Sequence, residues 1–66
     1  MFSNLKQMRK SQKKTGEYMA RLIGKLGKSA YCKKERGEVP FTLNEIKTIA
    51  ADLNESVEYL FIQNSS

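Results

Sequence analysis

The side chains best suited to chemistry in this 66-residue chain lie in one basic stretch, residues 28–37. The stretch contains four lysine or arginine residues, one serine and one cysteine, and Gly37 ends it. Lysine and arginine donate hydrogen bonds to phosphate oxygens and to guanine, and a serine hydroxyl can bond to several bases. Wound as a short helix, the stretch would fit the major groove of DNA.

Other classes of site have little support in the composition. The chain has no histidine and a single cysteine, Cys32, so it offers neither a zinc ligand set nor an internal disulfide. It also lacks a nucleophile elbow and a glycine-rich phosphate loop. We therefore expect a binding protein rather than an enzyme, with no cofactor, no metal and no small-molecule ligand. The lone thiol is typical of a reducing compartment.

Charge is divided unevenly along the chain. Residues 1–36 contain eleven lysines or arginines and two glutamates, a net charge of +9. Residues 37–66 contain one lysine and five carboxylates, a net charge of −4. A basic half of this size favours a polyanion, and above all double-stranded DNA, as partner. The alternative is an ordinary solvated lysine surface.

Length and hydropathy favour one small domain over residues 1–66, ordered at about residues 3–62 and frayed at residues 63–66. The single proline and the absence of alternating apolar and polar runs predict an all-α fold. No apolar run approaches the ~18 residues of a membrane span, and the first residues do not resemble a secretory signal. We therefore expect a cytoplasmic protein that makes no membrane contact.

Helix caps and breakers divide the basic half into three predicted helices. The first covers about residues 3–13. Thr15 is a good N-cap residue for the second helix, and Gly24 marks its end. The third helix covers about residues 28–36, with Tyr31 turned inward.

The acidic half is predicted to form two further helices. Thr42 and Glu45 match a capping box at the start of the fourth helix, which carries an apolar series: Leu43, Ile46, Ile49, Ala50 and Leu53. The last helix, at about residues 57–62, is too apolar for its length to be covered on one side only. Because an exposed apolar patch usually marks a contact surface, we expect a homodimer contact there, made by Tyr59, Phe61 and Ile62. Alternatively, this helix folds back on the core.

The order of these elements resembles the Cro/repressor-type helix-turn-helix family, the lambda-repressor-like domains, over about residues 4–61. The matching pieces are Leu5-Lys6-Gln7-Met8-Arg9-Lys10, Thr15, Met19-Ala20, Glu35-Arg36-Gly37, Thr42-Leu43 and residues 46–61. The resemblance implies a compact five-helix all-α domain in which helices 2 and 3 form a helix-turn-helix. It also implies binding to operator DNA as a two-fold dimer, in the manner of a Cro-like repressor from a phage or prophage.

The chain departs from the family pattern at three places. The turn at residues 24–27 is one residue longer than usual, which shifts the expected start of the recognition helix by up to one residue. Lys13 and Lys14 stand where the family often has a glycine and an apolar residue. Lys34 and Arg36 replace an apolar residue and an asparagine. Each of these changes adds positive charge near the expected DNA side.

The resemblance also implies roles for particular side chains. The base-reading positions map onto Lys28, Ser29, Cys32 and Lys33, although each lysine could contact phosphates alone. Phosphate contacts are expected from a larger set: Lys13, Lys14, Thr15, Gly16, Lys25, Lys34 and Arg36. Arg9 and Glu35 match positions that form a structural ion pair between the first and third helices.

Two other functions remain open on the sequence. A regulator of the antitoxin-like or partner-dependent kind would keep the fold and use its acidic, apolar C-terminal half to bind another protein. A basic RNA-binding or adaptor domain is the second alternative. The scarcity of aromatic residues in the basic half argues against the RNA-binding alternative, because single strands are bound largely by stacking.

Overall fold

The computed structural model describes residues 1–24 and 27–63 of the chain. This part of the chain contains five helices. In chain order they are α1 (Ser3–Ser11), α2 (Gly16–Leu22), α3 (Lys28–Glu35), α4 (Leu43–Leu53) and α5 (Glu58–Ile62), and the described residues contain no β-strand. α2 packs against α3 and α4, and α1 packs against α5. The all-α fold with a helix-turn-helix at α2 and α3 is therefore confirmed. The last three residues of the predicted frayed tail, 64–66, lie outside the described residues.

Two helices start at the threonines that the sequence singles out. Thr15 Oγ1 accepts a hydrogen bond from the Tyr18 amide at 3.0 Å. Thr42 Oγ1 accepts from the Glu45 amide at 3.2 Å, and the Glu45 carboxylate accepts from the Thr42 amide at 2.9 Å. This reciprocal pair is the predicted capping box. Each cap contributes about 1 kcal/mol to helix stability.

Three helices end with the same backbone geometry. Shortly after the last residue of each helix, one residue has a positive φ: 58° at Lys13, 87° at Gly37 and 54° at Asn54. After α1, the Lys13 amide donates to the Lys10 carbonyl at 2.9 Å, and the next amide donates five positions back at 3.0 Å. This is the hydrogen-bond pattern of a Schellman motif. α1 therefore ends at Ser11, two residues earlier than the sequence predicts.

α5 is wound more widely than an α-helix. The Gln63 amide donates to the carbonyl of Glu58, five residues back, at 2.8 Å, which is the π-helical pattern. Ser56 Oγ accepts from the Tyr59 amide at 3.1 Å and so caps the start of the segment. The Asn4 side chain donates to the carbonyls of Tyr59 and Gln63, at 2.9 and 2.7 Å, and joins α5 to α1.

Every helix contributes to one buried core: Leu5, Met19, Ala20, Tyr31, Ile49, Ala50, Leu53 and Leu60. α4 supplies three of these residues, as the apolar series predicts. Leu43 was expected in the same series, but 66% of it is exposed. It is the first residue of α4, and the elements that cover the later turns of this helix do not cover it.

Four aromatic rings close the core beside α5. Phe61 lies 5.5 Å from Phe2 and 5.2 Å from Phe41, measured between ring centres. Phe2 lies 5.5 Å from Phe41, and Tyr31 lies 6.2 Å from Phe41. These tilted and edge-to-face contacts hold α5 against the connection between α3 and α4.

Candidate nucleic-acid interface

Glu35, a buried carboxylate at the end of α3, joins that helix to α1. Arg9 Nε and Nη2 donate to its two oxygens at 3.0 and 3.2 Å, and the Tyr31 hydroxyl donates to Oε2 at 2.8 Å. Arg9 Nη1 donates to the Lys14 carbonyl at 2.9 Å. Arg9 and Glu35 thus form the ion pair that the family resemblance implies. Because the pair is bidentate and mostly buried, it fixes α1 relative to α3.

The surroundings of Arg9 and Tyr31 raise the pKa of both side chains. The bond to Glu35 raises the pKa of Arg9 above its ordinary value, against the opposing effect of desolvation. Burial, together with the bond to Glu35, raises the pKa of Tyr31 well above its usual range. Arg9 therefore stays charged, and the Tyr31 hydroxyl stays a donor, throughout the neutral pH range.

Three polar residues of α3 are exposed to solvent, Lys28, Ser29 and Lys33. Tyr31 and Glu35 are buried on the side of the helix opposite Ser29 and Lys33, and Lys28 is exposed at the first residue of the helix. Ser29 and Lys33 are four residues apart, so they are neighbours on the helix surface. Within the described ranges neither lysine forms an ion pair. These three side chains are therefore free to reach a ligand.

Cys32 is placed differently from the other expected base contacts. A Cβ built on the buried Gly16 would lie 3.6 Å from the Cys32 Sγ and 3.5 Å from the Lys28 Cγ. The half-buried thiol therefore packs between α2 and α3. The longer Lys28 side chain passes over Gly16, and Lys28 stays exposed. A thymine contact by Cys32 has no support in this geometry, because its short side chain is turned toward α2.

The start of α2 lies beside the start of α3. Lys13 and Thr15 are exposed there, and Gly16 is the first residue of the helix. Lys13 has no ion pair in the part of the chain that the structure describes. Gly16 lies against the Lys28 stem, so the start of α2 adjoins the start of α3. The first amides of a helix attract anions, and we therefore take these residues together with the exposed residues of α3 as the candidate surface.

Lys14 was expected to contact phosphate, but the structure gives it another partner. Its Nζ lies 2.7 Å from the Asp52 Oδ2, and only 23% of its side chain is exposed. The residue after Lys13 thus turns toward the end of α4. Lys14 is removed from the candidate surface because its ammonium is already paired.

Lys34 requires the same correction. Its Nζ lies 2.6 Å from the Glu45 Oε1 at the start of α4, and 13% of its side chain is exposed. The position where the family has an apolar residue is thus still largely buried here. Lys34 occupies it by extending its stem along the protein and pairing its charge with Glu45.

The two remaining cations expected at phosphates differ from each other. Arg36 pairs with Glu38 at 2.7 Å, and both side chains are more than half exposed. Such a surface pair contributes little energy and can open to accept a phosphate. Lys25, in the turn between α2 and α3, lies outside the described residues.

The expected dimer residues on α5 are unequally exposed. Ile62 is 72% exposed, whereas Tyr59 and Phe61 are half-buried. The Phe61 ring is used largely for contacts with Phe2 and Phe41 in its own chain. Ile62 is therefore the most accessible apolar side chain of the three.

Sequence reasoning missed the group that holds Lys14, namely Asp52 and Tyr18. The Tyr18 hydroxyl donates to the Asp52 Oδ1 at 2.8 Å. One signal was available in the sequence, because a carboxylate in the last turn of a helix opposes the helix dipole and calls for a compensating cation. Which lysine supplies that cation depends on the packing of segments that are distant in the sequence. The local sequence pattern therefore does not identify Lys14 as the partner of Asp52.

Neither a metal-binding cluster nor a pocket is found within residues 1–24 and 27–63. No group of three His, Cys, Asp or Glu side chains is placed to hold a metal ion, and no pocket forms there. None of the helices in these ranges has both the length and the apolar character needed to cross a membrane.

Comparison with known protein families matches a helix-turn-helix family model to residues 5–60 of this chain. No match is found among curated proteins or among solved structures. The matched span includes all of α2 and α3. The family match and the geometry therefore point to the same pair of helices.

Proposed function

On the premise that the chain belongs to the Cro/C1-type helix-turn-helix family, as the match over residues 5–60 shows, we propose that this DNA-binding transcription regulator is a Cro-like repressor of a phage or prophage. It acts in the cytoplasm by binding alone, with no catalytic step and no cofactor. A homodimer occupies two operator half-sites about one helical turn, ~34 Å, apart and blocks polymerase sterically.

The exposed face of α3 is the observation that carries this proposal. Lys28, Ser29 and Lys33 are exposed on a helix that the buried Tyr31 and Glu35 hold in the fold. In the major groove, Lys28 and Lys33 donate to guanine O6 and N7, and Ser29 bonds to a neighbouring base. A helix that is fixed in this way can enter the groove without rearranging the fold.

Phosphate contacts flank this face. Lys13 and the first amides of α2, at Thr15 and Gly16, contact the backbone on one side, and Arg36 contacts it on the other. The exposed ion pair between Arg36 and Glu38 opens on binding. Neutralised phosphates supply much of the affinity, so binding weakens with salt at a slope of roughly −0.9 per phosphate.

Dimerisation is assigned to α5. Ile62 is the centre of the contact because it is exposed in the monomer, and the accessible edges of Tyr59 and Phe61 adjoin it. The same patch could instead serve a partner protein in an antitoxin-like or partner-dependent regulator. A purified protein that is monomeric in solution and on DNA would favour the partner-protein alternative, because the proposed repressor binds its operator as a dimer.

The RNA-binding alternative has less support. Stacking on single strands requires exposed rings among the cations. In the described part of the basic half, Tyr31 is buried, Tyr18 is bound to Asp52, and Phe2 belongs to the aromatic cluster. Tyr31 and Phe2 are thus committed to the fold, and Tyr18, 42% exposed, is the one ring of the three left accessible, so duplex DNA is the better partner for this surface.

Selection of bound genomic fragments by the purified protein, followed by footprinting, tests the proposal. Lys33→Ala then separates base reading from phosphate contact. If Lys33 reads a base, its loss should cost about 1–3 kcal/mol on the operator and relax the preference at one position. An equal loss on all duplexes would make Lys33 a phosphate contact. Stronger binding to single-stranded RNA than to any duplex would refute the proposal.

A further inference from the structure

Asp52, in the last turn of α4, holds Lys14 in a closed polar cluster. Lys14 Nζ donates to the Asp52 carboxylate at 2.7 Å and to the Asp52 carbonyl at 3.0 Å. The Tyr18 hydroxyl donates to the other carboxylate oxygen at 2.8 Å, and the Lys14 ammonium lies 5.4 Å from the centre of the Tyr18 ring. Both oxygens of the carboxylate are therefore satisfied, and the ammonium is directed toward α4.

The pairing is a property of the fold rather than of α4 alone. A carboxylate near the C-terminal end of a helix opposes the helix dipole, and α4 has no basic residue of its own in its last turn. The Lys14 ammonium compensates, because it contacts both the Asp52 carboxylate and a carbonyl at the helix end. Gln12 acts nearby, where its side-chain amide donates to the Leu53 carbonyl at 2.8 Å. The connection between α1 and α2 is thus fastened to the end of α4.

The first turn of α4 holds a second lysine. Lys34 Nζ lies 2.6 and 2.7 Å from the two oxygens of Glu45 and 6.0 Å from the centre of the Phe41 ring. The capping box fixes the same carboxylate through the Thr42 amide, at 2.9 Å. α4 therefore carries one lysine-binding carboxylate at each end, and both lysines come from the basic half.

We propose that Asp52 and Glu45 are positioning residues that withhold Lys14 and Lys34 from DNA phosphates. This inference rests on the proposed DNA-binding function and concerns the strength of that binding. Sequence-independent affinity depends on the number of phosphates neutralised, so two fewer available lysines weaken non-specific binding. Lys13 provides the internal comparison, because it adjoins Lys14 and has no ion pair within the described ranges.

The salt dependence of binding to a random-sequence duplex tests this proposal, since each neutralised phosphate contributes about 0.9 to the slope. Lys14→Met should leave the slope unchanged, whereas Lys13→Met should make it shallower by about 0.9. Asp52→Asn should steepen it by about 0.9, an extra loss in affinity of about 3.5-fold between about 50 and 200 mM salt. Combining Asp52→Asn with Lys14→Met should restore the wild-type slope.

A matched control separates release of Lys14 from a change in net charge. Glu55→Gln removes the same charge from a carboxylate that forms no ion pair among the described residues, and it should not change the slope. The proposal fails for Lys14 if Lys14→Met makes the slope as shallow as Lys13→Met does. It also fails if Asp52→Asn leaves the slope unchanged. If Asp52→Asn does not fold, the salt slope of Lys14→Met alone tests the proposal for Lys14.

The second pair is tested in the same assay. Lys34→Met should leave the slope unchanged, and Glu45→Gln should steepen it by about 0.9, because glutamine retains the capping box while it loses the charge. A shallower slope in Lys34→Met would overturn the proposal for this pair. If the wild-type protein binds no duplex at low salt, the proposed function itself fails, and that outcome differs from all those above.

Discussion

The Arg9 guanidinium and the Glu35 carboxylate meet through two hydrogen bonds, of 3.0 and 3.2 Å, that join α1 to the last residue of α3. Arg9 also donates to the carbonyl of Lys14, just before α2 begins. One side chain therefore fixes α1, the start of α2 and α3 relative to one another. The exposed face of α3 depends on this arrangement for its orientation.

Replacing Arg9 by methionine should destabilise the protein by about 3 kcal/mol, because Glu35 would remain buried without its cation. Urea unfolding followed by circular dichroism measures the change. The control is Arg21→Met, whose ion pair with Glu17 is mostly exposed and should contribute less than about 1 kcal/mol. Equal losses in the two variants would show that the Arg9–Glu35 pair does not hold the fold.

Acid should weaken the fold through Asp52 and Glu45. The hydrogen bond from Lys14 is the main cause of the lowered pKa of Asp52. At Glu45, burial would raise the pKa, but the hydrogen bonds from Lys34 and Thr42 outweigh it and lower the pKa. A lowered folded-state pKa gives stability that is present above the ordinary carboxyl pKa, about 4, and is lost as pH falls through the folded value.

The free energy of unfolding, measured between about pH 7 and pH 2, should therefore fall below about pH 4. Asp52→Asn should make this decline less steep because one of the two carboxylates is gone. Glu55→Gln serves as the control and should retain the wild-type decline. If the free energy of unfolding of Asp52→Asn falls as steeply with acid as that of the wild type, Asp52 does not contribute to the acid sensitivity of the fold.

Lys13→Gly should stabilise the fold while it weakens DNA binding. Lys13 has a φ of 58°, a conformation that costs a side-chain-bearing residue about 1 kcal/mol or more and costs glycine little. Thermal unfolding should show a gain of about 0.5–1 kcal/mol after the entropy cost of glycine is subtracted. The control is Lys10→Gly, inside α1, which should lose about 1 kcal/mol. A loss of stability in Lys13→Gly would contradict the helix-ending role of residue 13.

Ile62→Asp should abolish the homodimer without unfolding the monomer. The side chain is 72% exposed, so a charge there should change monomer stability by no more than about 0.5 kcal/mol. Sedimentation equilibrium measures the oligomeric state. Leu43→Asp, at an equally apolar and exposed position outside α5, should leave the dimer intact. If Ile62→Asp stays dimeric, α5 is not the contact.

Local signals in the sequence were sufficient for the helices and their starts. The caps at Thr15 and Thr42 form as predicted, because a threonine hydroxyl acts only on amides two or three residues away. The pair of Arg9 and Glu35 was expected from a family resemblance, since no local rule joins residues 26 positions apart. The same limit explains why the lysine partners on α4 were missed.

The two corrected lysines show why charge counts alone do not define a DNA surface. Both Lys14 and Lys34 belong to the strongly basic half, yet each is paired with a carboxylate that follows 11 or 38 residues later in the sequence. Whether a cation is available depends on which carboxylate the tertiary packing brings to it. Exposure of Lys33, by contrast, follows from helical spacing once Tyr31 is known to be buried, because the two lie on nearly opposite sides of α3. Lys28 lies on the same side as Tyr31 and is exposed at the first residue of the helix.

Footprinting on a genomic fragment selected by the wild-type protein tests the central claim most directly. The account predicts protection of two similar half-sites whose centres lie one helical turn, about 34 Å, apart, with major-groove contacts that change when Lys33 is replaced. Failure to bind any duplex at low salt, about 50 mM, where phosphate contacts are stronger than at physiological salt, would contradict it.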